Sequence, residues 1–136
     1  MLERNNEIIK EVSDEIEASL KDSKGIQSHQ RRIAFSLSIE VVALIENYLD
    51  KLNVFKAGGK INHRWFKKKR ENVKELISNQ ITSPIDSIEK INEILDIAYN
   101  IEKERNELAY GKPASEETLK DKINLFLDLK RRLENA

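Results

Sequence analysis

Ile91-Asn-Glu-Ile94-Leu-Asp-Ile-Ala98-Tyr-Asn-Ile101-Glu-Lys-Glu-Arg105-Asn-Glu-Leu108-Ala-Tyr110-Gly111 decides the fold class. Ile91, Ile94, Ala98 and Ile101 recur three and four residues apart, the spacing of one face of an α-helix, and Leu108 continues the line. The position on that stripe between Ile101 and Leu108 is Arg105, a residue type that is rarely buried without a partner. Upstream, Ser83 reads as an N-cap, Pro84 as a first-turn residue and Asp86 as the third member of a weak capping box. Downstream, Gly111 and Pro113 stop the helix, so the pattern predicts one helix from about Ser83 to Tyr110.

The same period runs through the rest of the chain. A first helix is expected from about Asn5 to Asp22, with Ile9, Val12, Ile16 and Leu20 inward and Lys24-Gly25 as its end. A second is expected from about Gln27 to Phe55, on the line Ile33, Leu37, Val41, Leu44 and Tyr48 extended by Leu52. Its middle, Ser38-Ile-Glu-Val-Val-Ala-Leu-Ile45, is apolar on a second side through Ile39 and Ile45, which suits a central or interface helix. Ala57-Gly58-Gly59 breaks the chain. A third helix follows from about His63 to Asn79, with Phe66, Val73, Leu76 and Ile77 inward. The last starts after Ser115, with Leu119, Ile123, Phe126 and Leu133 on its core face. No strand pattern, repeat or low-complexity tract interrupts this. The expected fold is all-α, a five-helix, mainly up-and-down bundle forming a single domain over residues 1–136.

Composition narrows the classes. A chain of 136 residues can build its own core. With no cysteine it has no disulfide framework and no Cys-based zinc site, and it fits a reducing cytosol. No apolar run reaches membrane-spanning length and no signal-peptide core precedes the first helix, so the expectation is a cytoplasmic protein without a membrane partner. The 24 basic and 24 acidic side chains cancel, so net charge gives no argument for nucleic acid. The charge is nevertheless uneven: residues 3–22 lean acidic, and residues 60–74 carry eight basic or histidine side chains against Glu71 alone.

Two readings of Arg105 are open. In one, it bonds the last carbonyls of its helix and pairs with Glu102 or with a carboxylate on another helix. In the other, packing holds the guanidinium rigid at the mouth of the bundle to grip a phosphate, with Asn106 and the Tyr110 hydroxyl beside it. An all-helical domain of this length with Arg105-Asn106, three further residues and then a polar ring before Gly111 resembles the HEPN superfamily (higher eukaryote and prokaryote nucleotide-binding domains). Many of its members are metal-independent ribonucleases, often toxins of toxin-antitoxin pairs, in which an Arg and a His from two subunits meet at a dimer cleft. Others bind nucleotides or associate with a nucleotidyltransferase. The resemblance implies catalytic positions at Arg105, Asn106 and Tyr110, a homodimer, no metal and no cofactor. Tyr110 stands where the family has histidine. Tyrosine ordinarily ionises near 10, so it donates a proton or a hydrogen bond at neutral pH more readily than it accepts one.

The basic run offers a second candidate. Arg64, Lys67, Lys68, Lys69 and Arg70 surround Trp65, and cations with an aromatic ring suit single-stranded nucleic acid. The alternative is that Phe66 packs inward, Trp65 covers a helix joint and the lysines form a solvated face. His29 and His63 have no ligand-like spacing and read as surface residues, His29 with a polar cluster of Gln30, Arg31 and Arg32 as its alternative. Glu102 and Glu104, like Asp14, Glu15 and Glu17, read as ordinary helix-face charges. The leading expectation is an RNA- or nucleotide-phosphate-binding helical domain, either degenerate relative to a ribonuclease or partnered with a nucleotidyltransferase. An active metal-independent ribonuclease and a ligand-free helical interaction module are the competing classes.

Overall fold

The computed structural model describes residues 2–135. They form α1 (Leu2–Lys21), α2 (Gln30–Lys51), α3 (Arg70–Ser78), α4 (Ile91–Glu102), α5 (Arg105–Tyr110) and α6 (Glu116–Glu134), with single 3-10 turns at Ile26–His29, His63–Lys67 and Ile85–Ser87. Among the described residues there is no strand, only an isolated bridge between Phe55 and Ile81, and no helix is long and apolar enough to cross a membrane. The all-α bundle is therefore present, and each of the five expected helical segments appears, the fourth in pieces.

The central helix is α2. It packs on α1, α5 and α6 and more lightly on α4. Ile33, Leu37, Val41, Leu44 and Tyr48 are all buried, as their spacing requires, and meet Val12 and Ile16 of α1, the Ile91–Ile101 stripe of α4 and the Ile123–Leu133 stripe of α6. Each such side chain taken wholly from water contributes about 1.5–3 kcal/mol. A second, smaller cluster of Ile26, Ala34, Leu108, Ala109 and Leu119 seats α5 against the start of α2.

Several expectations need correction. Of the two residues on the supposed second side of α2, Ile45 belongs to the core and only Ile39, half exposed, faces outward. Leu20 is also half exposed, because Ser19 takes the inward place in the last turn of α1 and bonds the Ile16 carbonyl. Leu52 lies past the end of α2 and is exposed. The first part of the third segment, His63–Lys67, is a 3-10 turn and not α-helix. The Ser83 cap does not form: the helix starts only at Ile91, and Ser83 Oγ is buried without a partner.

The break in the fourth segment answers the anomaly at Arg105. Lys90 (φ +59) and Glu104 (φ +67) adopt left-handed backbone at the starts of α4 and α5. In one continuous helix Arg105 would follow Ile101 into the core. A left-handed non-glycine residue costs about 1–2 kcal/mol, whereas burying an arginine without a carboxylate costs several. The chain takes the smaller cost, turns at Lys103–Glu104, and leaves Arg105 half-buried as the first residue of α5 while Leu108 and Ala109 still bury. Gly111 ends α5 for a reason of space: a Cβ there would collide with the Glu107 carbonyl oxygen.

Candidate nucleic-acid interface

Arg105 has no carboxylate partner among the described residues. Its guanidinium carbon lies 4.7 Å from the centre of the Phe35 ring, and Nη1 donates to Asn106 Oδ1 at 3.2 Å. Its Nε is buried and makes no hydrogen bond. Tyr110 packs edge-on against the same Phe35 ring at 5.9 Å and is otherwise, among the described residues, the most exposed large apolar or aromatic side chain, at 72%. Arg105, Asn106 and Tyr110 thus come together at one corner, around Phe35 of α2. The pairing of Arg105 with Glu102 or another acid does not occur. The corner is held from behind by buried Gln30, whose Nε2 donates to the carbonyls of Leu108 (2.9 Å) and Lys112 (3.1 Å) and whose Oε1 accepts from the Ala114 backbone N–H (2.7 Å).

Phe35, Ile39, Val42 and Glu46 follow one another along a single face of α2. Ile39 and Val42 form part of the floor of a groove of about 940 Å³, rimmed by Arg4, Lys60, His63, Arg64 and Trp65. Phe35 lies one turn, about 6 Å, before Ile39, so the Arg105 corner and the groove lie along the same face of α2, although Phe35 and Arg105 do not line the groove itself. The segment that walls the groove is firmly placed. Ile61 is buried and its N–H donates to Glu46 Oε2 at 2.9 Å; Glu46 Oε1 in turn accepts from buried Asn5 at 3.2 Å. Asn62 Oδ1 accepts from the Arg64 N–H at 2.9 Å and caps the 3-10 turn, and Phe66, 2% exposed, anchors it. Trp65 is half-buried against the core. Among the described residues, Arg4, Lys60 and Arg64 form no ion pair.

The basic run divides. Arg70 pairs with Asp96 and Lys74 with Asp86, so part of its charge is compensated. Lys67, Lys68 and Lys69 are exposed, form no ion pair among the described residues, and follow the groove wall in the chain.

Both histidines depart from the surface reading. His29 is buried, its Nδ1 2.9 Å from Glu15 and its Nε2 2.7 Å from Asp22. These bonds, that to Glu15 first, raise its pKa above the ordinary value. Arg32 Nη2 also lies 2.9 Å from Nδ1; with the ring protonated this brings two donors together, while Glu15 Oε1 accepts from Nδ1–H and from Arg32 Nε, the latter at 3.0 Å. His63 Nδ1 lies 2.8 Å from Glu102 Oε1, and Glu102 Oε2 accepts from Ser38 Oγ at 2.8 Å. Glu102 is 2% exposed, so neither it nor Glu15 is an ordinary helix-face charge. Glu40 is stranger still: it is wholly buried on α2 and neither carboxylate oxygen has a partner. Burial, with Glu134 adding to it and Lys130 opposing, pushes its carboxyl up to about 9. Among the described residues no three acidic, His or Cys side chains cluster as a metal site. No protein-family model, curated protein or solved structure matches the chain.

Proposed function

We propose that this protein is a HEPN-like helical domain that binds RNA by its phosphates, along the face of α2 from the Arg105 corner to the groove rimmed by Lys60 and Arg64. One observation carries the reading: a half-buried arginine, held over a phenylalanine and next to Asn106, has no carboxylate partner among the described residues. A structural arginine at a helix junction ordinarily finds an acid. This one keeps its outer nitrogens available for the paired oxygens of a phosphate. The unpaired cations of the groove extend the same charge, and Trp65 offers a partly exposed ring for a base.

The test is the binding of a short fluorescent oligoribonucleotide followed by anisotropy across a salt series. Arg105→Ala should weaken binding and lower the slope of log affinity against log salt by about 0.7, the share of one phosphate contact on a single strand. Stability should fall by only about 0.5–1 kcal/mol, the worth of an exposed cation–π contact, because no carboxylate is stranded. Unchanged affinity and slope in Arg105→Ala would remove the reading.

A further inference from the structure

A second cavity lies toward the C-terminal end of α2, about 20 Å along the helix from Phe35. Its volume is about 400 Å³, within the range of small-molecule sites. Four pieces of chain meet there: Tyr48 of α2, the Glu89-Lys90 link, the first turn of α4 and the last turn of α6. Tyr48 is 6% exposed, and its hydroxyl makes no hydrogen bond among the described residues. A buried tyrosine hydroxyl ordinarily finds a partner. Burial first, and then the negative charge of Glu89, raise its pKa, so the group stays a donor at neutral pH. α4 also opens at this cavity without a side-chain cap. The N–H of Ile91 reaches the Ile88 carbonyl and that of Ile94 the Lys90 carbonyl. The N–H groups of Asn92 and Glu93 have no acceptor among the described residues, and they stand at the positive end of the helix dipole.

The charges decide what the cavity can take. Arg131 and Arg132 are answered by Asp128, and Arg132 also by Glu93. Lys90 and Glu89 are exposed and form no ion pair among the described residues. One cation, one anion, two amides and a hydroxyl therefore stand open beside the apolar Ile94 and Leu133. Lys90, Arg131 and Arg132 balance Glu89, Glu93 and Asp128, so a phosphate dianion would bring charge that the wall does not offset. A molecule carrying both signs keeps the balance. We propose that this cavity binds a free α-amino acid with an apolar side chain. The carboxylate accepts from the Asn92 and Glu93 N–H groups and the Tyr48 hydroxyl, with Lys90 beside it. The ammonium faces Glu89, and the side chain lies on Ile94 and Leu133. The site is separate from the RNA face and does not depend on it.

Titration of the full chain with L-leucine, followed by amide NMR, tests this. The Asn92 and Glu93 signals should shift saturably, while those of Phe35, Ile39 and Val42 stay in place. Tyr48→Phe keeps the ring in the core and removes only the hydroxyl; it should weaken binding about fivefold. Lys90→Ala alters an exposed residue and should weaken it about tenfold. Two relatives of the probe separate its charges. 4-Methylpentanoate lacks the ammonium and leucinamide lacks the carboxylate, and each should bind at least about tenfold more weakly than leucine. No saturable shift with leucine overturns the proposal, as does unchanged leucine affinity in either variant. So does 4-methylpentanoate binding as tightly as leucine, which would make the site one for any carboxylate. Inorganic phosphate displacing leucine from the same amides at lower concentration would overturn it as well, and would mark a plain anion site.

Discussion

Glu40→Gln should stabilise this protein, and by an amount that depends on pH. The native carboxyl is held protonated up to about pH 9, while in the unfolded chain it ionises at its ordinary value of 4.5. Between these values the folded state keeps a proton that the unfolded state gives up. The unfolded state therefore binds fewer protons, and stability falls as pH rises. The slope is about 1.4 kcal/mol per pH unit. The penalty is thus about 1 kcal/mol near pH 5 and about 3 kcal/mol near pH 7. A glutamine buries a neutral polar group of the same size and does not titrate, so the packing cost nearly cancels and the pH-dependent part remains. Urea denaturation followed by circular dichroism, for both proteins from about pH 5 to about pH 8, gives the difference directly. The gain from Glu40→Gln should grow steadily across that range. A gain that is the same at both ends would refute the reasoning, because it would mean that Glu40 ionises alike in the folded and unfolded chains. Glu40→Met, which leaves no polar atom orphaned, should be at least as stable as the glutamine variant.

Three further outcomes are expected. Gln30→Ala removes three hydrogen bonds at once and should cost about 2–3 kcal/mol, with amide exchange accelerated at Leu108–Ala114 before the rest of the chain. His29 contributes in the opposite pH sense to a depressed acid: its folded pKa is raised, so its stabilisation is full below the unfolded value of 6.5 and is lost as pH rises through the folded value, which NMR titration of the ring against a His29→Gln denaturation series will show. Changing Lys67, Lys68 and Lys69 together to Glu should abolish RNA binding with no loss of fold, since all three are exposed and form no ion pair among the described residues; retained affinity would return them to a solvated face.

The helical stripes were legible because they obey one period. Ile33, Leu37, Val41 and Leu44, or Leu119, Ile123, Phe126 and Leu133, are buried as their spacing predicts. The break at Glu104 was not legible: nothing about a glutamate announces a left-handed backbone, and Arg105 on the apolar stripe was the sole hint. The Ser83-Pro84 signature misled for a related reason, since tertiary packing turned the following residues into a 3-10 turn. At the interface, Arg105, Asn106 and Tyr110 could be picked out as neighbours in sequence. Phe35 and Gln30, which hold them, are about 70–80 residues away in the chain and carry no local mark. Glu102 and His63 are likewise far apart, and a contact of that span leaves no trace in periodicity.

The isolation of α5 has a consequence for how ligand binding would be felt. Six residues are too few to hold a helix in water, because nucleation is not repaid over so short a length. This one exists only while docked on α2 by Leu108, Ala109 and the Gln30 side chain. Its opening is therefore a discrete event, separable from unfolding of the bundle. A ligand that gripped Arg105 and the groove together would strap α5 to α2, and the amides of Leu108–Tyr110 would record its presence as slowed exchange. The corner that offers the arginine is in this sense also the gauge that reads whether anything has taken hold of it.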